Sequence, residues 1–153
     1  MIKNITQNLN INTNWIHLNN FQKNIDLSFF NHDKYKNDIR SLDKKMSDIL
    51  CDDSWMGNCA KYQLNSGGKR FRAILALLAS KIFGLSKQVS HDIAICCEFI
   101  HNASLIHDDL QDRDLLRRGL PTIWNRFGDH TAINLGDLFI SASFEIISKI
   151  KTR

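Results

Sequence analysis

Four aspartates, Asp108, Asp109, Asp112 and Asp114, fall within seven consecutive positions of the stretch HDDLQDRDLLRRG, and Arg117 and Arg118 follow at once. Carboxylates this close repel and raise one another's pKa, so the stretch needs a cationic partner or open water. On a helix turning about 100° per residue, His101, Ser104, Leu105, Asp108 and Asp112 share one stripe. Asp108 and Asp112 then stand one turn apart on the same face, while Asp109 points about 100° away from Asp108. A divalent cation would remove the repulsion. Few carboxylates, completed by substrate phosphates, are the usual ligands of Mg2+. The plainer alternative is an acidic helix end bathed in water. Ile95, Phe99, Leu105 and Ile106 favour the first reading, because they make a packed helix, on which an acidic cluster tends to face a cavity or a site.

A second group of charges is GGKRFR, Gly67 to Arg72. The expected helix begins at Lys69, which puts Lys69 and Arg72 three residues apart in its first turn. Free backbone N–H groups, the helix dipole and two cations would together suit a phosphate. A P-loop is excluded, since that motif needs Ser or Thr after its lysine and Arg70 follows Lys69. Ordinary surface basicity is the alternative. Arg117 and Arg118 have the same two readings: they pair with the neighbouring aspartates or water, or they bind phosphates that a metal leaves uncovered. The combination is more specific than any part. A carboxylate pair, a basic loop after two glycines and an arginine pair describe a site for one or two diphosphates.

A di-iron centre is a competing use of the same helix. EFIH, Glu98 to His101, is the E-x-x-H that carboxylate bundles use twice beside two further glutamates. The chain has only Glu98 and Glu145, and Ser148 stands where Glu145 would need its histidine. The other histidines, His17, His32, His91, His107 and His130, lack zinc-like spacing and are expected to be structural or on the surface.

The elements that must hold these groups are helices. Ile39, Leu42, Met46, Ile49 and Leu50 recur at helical steps from about Tyr35 onward. SWMGNCAKYQLNSGG reads as a short helix ending in a Gly-Gly turn. Lys69–Phe83 is rich in Ala and Leu and predicts a buried helix closed by Gly84. Ser90 is the expected N-cap of a helix from about His91 to Asp112. Pro121, the only proline, marks a connection before a last helix from about Asp129 to Ile150. Almost nothing alternates with period two, so the expected fold is all-α. Before about residue 37 the text is asparagine-rich and polar, with weak periodicity. It is expected to be a loose leader that docks through Trp15, Phe21, Phe29 and Phe30.

Composition narrows the class. At 153 residues, 43% hydrophobic and 24% charged, the chain has the mixture of one globular domain. A net charge of +4, scattered without runs or interleaved aromatics, gives no footprint for nucleic acid. Cys51, Cys59, Cys96 and Cys97 form no C-x-x-C and are expected as reduced thiols. The longest apolar run, Ala73–Ala79, is too short to span a bilayer, and a cytoplasmic location is expected.

The blocks GGKRFR, EFIHNASLIHDDLQDRDLLRRGLPT and NLGD, in this order, resemble the trans-type polyprenyl diphosphate synthases, the farnesyl and geranylgeranyl diphosphate synthase group. The resemblance runs from about Ile39 to Ile150. It implies an isoprenoid synthase-type antiparallel helix bundle around an isoprenoid tunnel, assembled as a homodimer. It implies a head-to-tail condensation of an allylic diphosphate with isopentenyl diphosphate. Carried over by position, Asp108 and Asp112 would hold Mg2+ on the allylic diphosphate and Arg117 would contact that group. Lys69, Arg72, His101 and Arg118 would bind isopentenyl diphosphate. Ala103 and Ser104, five and four residues before Asp108, occupy places where bulky aromatics shorten the family's products, which implies a product of C20 or longer.

Two departures from the family's pattern bear on this. Ala73 stands where proline often follows the basic motif. The family continues for a comparable length beyond the last helix here and carries a second aspartate-rich motif and a lysine in that part. The expectation is therefore a polar leader over residues 1–36 and the N-terminal half of a synthase domain over 37–153, a truncated form with negligible turnover by itself. The alternative is a non-catalytic subunit that binds diphosphate or regulates an active synthase.

Overall fold

A computed structural model describes residues 35–150. The expected leader, with its four docking aromatics, lies outside the described residues. Helix α1 (Lys36–Leu50) buries Ile39, Leu42, Met46 and Leu50, the stripe its periodicity predicts. Helix α2 (Trp55–Asn65) starts at Ser54, whose hydroxyl accepts the Gly57 N–H at 3.0 Å, satisfying a donor that the helix itself leaves unpaired. Helices α3 (Phe71–Ile82) and α4 (Lys87–Asp112) follow. Next come strands β1 (Leu116–Arg117) and β2 (Leu120–Pro121), the short helix α5 (Ile123–Phe127) and the long α6 (Asp129–Ser148).

Three boundaries differ from expectation. Helix α4 begins at Lys87 rather than His91. Ser86, not Ser90, accepts the cap bond, from the Val89 N–H at 3.3 Å. Ser90 lies inside the helix and turns its hydroxyl back to the Ser86 carbonyl at 2.8 Å. Lys87 and Gln88 are competent helix formers, and Gln88 bonds Asp92 one turn on at 2.8 Å, so the earlier serine wins. Helix α3 begins at Phe71, two residues later than expected. Arg70 is its N-cap in a left-handed conformation at φ +49°, which leaves Lys69 in the preceding loop. A small antiparallel hairpin and the α5 turn stand where only a connection was expected. The end of α3 is as predicted. Gly84 at φ +67° lets its own N–H reach the Lys81 carbonyl and that of Leu85 reach Ser80, a Schellman closure.

The core lies between α4 and its neighbours. Helix α4 packs most extensively on α6 and next on α3. Phe99 and Phe139, both fully buried, meet edge to face with ring centroids 5.3 Å apart. Each buried aromatic contributes about 2–3 kcal/mol of burial free energy, and the ring geometry adds about 1 kcal/mol. Helices α4 and α6 approach closely at Gly136, where a Cβ would lie 2.0 Å from His107 Nε2. This glycine of the NLGD block makes room for an imidazole. The four cysteines are free thiols. Among the described residues no helix is long and apolar enough to cross a membrane.

Candidate functional site

The site is built from α4, the Gly-Gly loop and the β1–β2 hairpin, which line one cavity together. The hairpin turns at Arg118 and Gly119, both with positive φ (+53° and +80°), as a two-residue turn of this hand requires. Its base is held firmly. The Thr122 hydroxyl and the Trp124 indole N–H both donate to the Asp114 carbonyl, at 2.7 and 2.9 Å. The Tyr62 hydroxyl donates to the Pro121 carbonyl at 2.7 Å, tying the hairpin to α2. These bonds fix where Arg117 and Arg118 stand.

Four of the predicted residues come together. Lys69 from the loop, Arg72 from α3, His101 from α4 and Arg118 from the hairpin line one cavity of about 190 Å3. Gly68, Arg70, Phe71, Glu98 and Asn102 complete its wall. Gly68 matters here. It has φ +142°, and a Cβ on it would lie 2.9 Å from an Arg118 guanidinium nitrogen, so only a glycine lets the loop back onto that side chain. Arg72 Nη1 lies 3.1 Å from His101 Nε2. Arginine can only donate, so Nε2 accepts and the imidazole is neutral. Burial, and then the charges of Arg72, Arg118, Arg117 and Arg70, hold the His101 pKa below its ordinary value. The cavity is thus a cationic cup with one neutral imidazole, suited to a polyanion.

Arg72 and His101 also belong to a larger open groove of about 600 Å3, lined further by Leu75, Ala76, Cys97, Ile100 and Ser104. Cationic cup and apolar groove therefore meet at one pair of side chains. Burial is the main reason the Cys97 thiol is held above its usual pKa, which keeps it uncharged in the groove. Of the two small residues before the aspartates, Ser104 lines the groove, whereas Ala103 is 1% exposed and packs in the core.

Asp108 and Asp112 are exposed at the end of α4 and make no hydrogen bond or ion pair among the described residues. They lie one turn apart, and Asp108 is two turns beyond His101, about 10 Å along the axis. No cluster of three or more metal-ligating side chains exists among the described residues. Two open carboxylates fit a hard cation that draws its remaining ligands from water and phosphate. They do not fit one that requires a protein cage.

Arg117 behaves differently from Arg118. Its Nε lies 2.8 Å from each oxygen of Asp109, and Nη2 also bonds Oδ1. This forked contact is the leading reason the guanidinium pKa is raised. Pairing with a neighbouring aspartate, one of the two readings open from the sequence, is what the side chain does here through Nε and Nη2. Asp109 was assigned no role from the sequence and is 3% exposed. Its signal was present: Phe99, Asn102 and Ile106, all buried, precede it at ten, seven and three residues, so Asp109 continues the core stripe and needs a cation. Arg70, another unassigned residue, turns inward to Asp43, Leu64 and Glu98.

The description "Polyprenyl synthetase" matches residues 53–153, well over half of the chain. The chain belongs to the polyprenyl synthetase family. It is 34% identical over 121 residues to the geranylgeranyl diphosphate synthase of Methanosarcina mazei, covering 78% of this chain and 37% of that one. To the geranylfarnesyl diphosphate synthase of the same organism it is 41% identical over 104 residues, 68% of this chain and 35% of that one. The crystal structure of heptaprenyl diphosphate synthase from Staphylococcus aureus superposes with a TM-score of 0.70 at 30% identity, over 77% of this chain and 38% of that one. The all-α, isoprenoid synthase-type fold and the family resemblance are thus borne out. The chain spans 35% to 37% of the length of these two curated polyprenyl synthetase relatives.

Proposed function

We propose that this polyprenyl synthetase chain supplies the isopentenyl diphosphate pocket and one metal-binding wall of a prenyltransferase that condenses isopentenyl diphosphate head-to-tail with an allylic diphosphate. One observation carries the reading. Side chains from a loop, two helices and a hairpin converge on a cationic cup, and two of them, Arg72 and His101, also begin an apolar groove. A molecule with a diphosphate head and a hydrocarbon tail matches that sequence of surfaces.

In this reading Lys69, Arg72 and Arg118 bind and orient the diphosphate of isopentenyl diphosphate, and His101 sits beside it as a hydrogen-bonding wall. Asp108 and Asp112 would hold Mg2+, with Arg117 contacting the same allylic diphosphate. Mg2+ bound there would draw off charge as that diphosphate departs. Cations placed in advance where negative charge builds stabilise the transition state without reorganising. Leu75, Ala76 and Ile100 would offer the cation-like carbon an apolar wall, and Ser104 leaves the groove open at its level, in favour of a product of C20 or longer. A homodimer and a cytoplasmic location belong to the same reading.

The test is calorimetric titration with isopentenyl diphosphate, then with inorganic diphosphate and Mg2+ together. The Lys69→Ala and Arg72→Ala variants should lose the first interaction. Asp108→Asn and Asp112→Asn should lose only the Mg2+-dependent part of the second, with stability changed by less than about 0.5 kcal/mol because both side chains are exposed. Equal binding by all four variants and the unaltered chain would sink the reading. Labelled isopentenyl diphosphate with farnesyl diphosphate and Mg2+ then tests condensation. Elongation by this chain alone would show that the groove and cup suffice.

A further inference from the structure

Arg70 stands between two proposed ligand-binding residues, yet its side chain is 9% exposed and points away from solvent. Its Nε lies 2.7 Å from Asp43 Oδ1 on α1. Its Nη2 donates to the Leu64 carbonyl at the end of α2, at 3.0 Å. Its Nη1 lies 3.9 Å from Glu98 Oε2 on α4. The backbone of the same residue caps α3, and its carbonyl accepts the Ile74 N–H at 3.0 Å. Four helices therefore meet at one residue. The other oxygen of Glu98 accepts the Ala73 N–H at 3.0 Å, so α4 holds the start of α3 a second time.

The arrangement leaves Arg70 few donors for a ligand, although it lines the cationic cavity. It also lines a smaller one of about 110 Å3, formed with Asp43, Ser47, Lys61 and others. Asp43 is absent from the wall of the cationic cavity. It can influence that cavity through the arginine it holds. Only a planar fork of five donors serves a carboxylate, a carbonyl and a second carboxylate at once.

We propose that Arg70 is a positioning residue. Clasped by Asp43, Leu64 and Glu98, it sets the spacing of Lys69 and Arg72 from His101 and thereby shapes the cup for a diphosphate. This rests on the reading that the cup binds a diphosphate, and it adds α1, through Asp43, to the parts that determine affinity. The charge of Arg70 is secondary to its shape.

That distinction fixes the experiment. Arg70→Lys keeps the charge and loses the fork. Asp43→Asn removes a negative charge outside the cup, so electrostatics alone predicts equal or tighter anion binding. Each variant is titrated with inorganic diphosphate well below its melting temperature, with folding checked by circular dichroism. The expected result is weaker binding in both, by about tenfold for Arg70→Lys and by a smaller factor for Asp43→Asn. A purely structural role would lower the melting temperature and leave affinity in the folded protein untouched. Diphosphate binding by either folded variant at or above the affinity of the unaltered chain overturns the proposal. Should Arg70→Lys fail to fold, Asp43→Asn decides alone. If the unaltered chain takes up no diphosphate, the reading of the cup itself falls, and this proposal with it.

Discussion

Replacing Arg117 with methionine leaves Asp109 buried without its cation, and the cost follows from the geometry. Asp109's side chain is 4% exposed and Arg117's is 28% exposed. At a charge separation of about 4 Å and an effective dielectric of about 20, the attraction is worth about 4 kcal/mol. Most of it offsets the desolvation of the carboxylate, so the pair itself adds little. Breaking it is another matter: an orphaned buried charge costs about 3–5 kcal/mol, and the partial exposure of Arg117 puts this case near the lower end. Arg117→Met should therefore lose about 3 kcal/mol, seen as a fall of roughly 10 °C in melting temperature. Asp109→Leu should cost less, because the freed guanidinium can reach water. The double variant should recover most of the loss, since an apolar pair of similar volume is often as stable as an ion pair. Urea unfolding with an unchanged slope supplies the four corners of the cycle. The reasoning is refuted if Arg117→Met stays within about 0.5 kcal/mol of the unaltered chain, or if the two single losses simply add.

Three further outcomes are expected. Burial first, and then the neighbouring arginines, hold the His101 pKa below its ordinary value; a bound diphosphate opposes the arginines' share, so binding should take up a proton and strengthen as pH falls toward that lowered pKa. Calorimetry in buffers of different ionisation enthalpy measures the uptake, and His101→Gln should remove all but the ligand's own share. Gly136→Ala should destabilise by about 1–2 kcal/mol, because its Cβ collides with the His107 ring, and His107→Ala in the same chain should restore most of it in thermal melts. His91 is 3% exposed, and burial and then Lys45 hold its pKa below the ordinary 6.5 despite Asp38. The unfolded chain then binds the extra proton first, so stability is full above about pH 6.5 and declines as pH falls below it. His91→Gln should flatten that part of the stability profile, which unfolding at a series of pH values checks.

Much of the site was legible because its residue types have few other uses in such company. Two glycines followed by Lys69 and Arg72 suggested a basic start suited to a phosphate, and both side chains do line the cationic cavity. The i, i+4 spacing placed Asp108 and Asp112 on one open face of α4. The division of labour within each charged run was harder to see. Lys69, Arg70 and Arg72 look alike as letters, but a left-handed bend at Arg70 delays the helix and turns that one side chain inward. Arg117 and Arg118 differ for a related reason. The first is a strand residue facing Asp109, and the second occupies the positive-φ turn. A partner 27 residues away, such as Asp43 for Arg70, leaves no mark in local periodicity. The cap was misplaced at Ser90 because Ser86, four residues earlier, satisfies the same donor rule.

Among the described residues, the only non-glycine residues with positive φ are Arg70, Arg113 and Arg118. Each bend stores about 1 kcal/mol or more, which is released whenever its loop opens locally. The connections that carry the cations are therefore cheaper to open than the helices they join. An anion held between the Gly-Gly loop and the hairpin must first catch them closed. Part of its binding free energy goes into keeping them so, and the clearest trace of an occupied site would be slowed amide exchange at residues 67–70 and 113–119, far more than in the helical core.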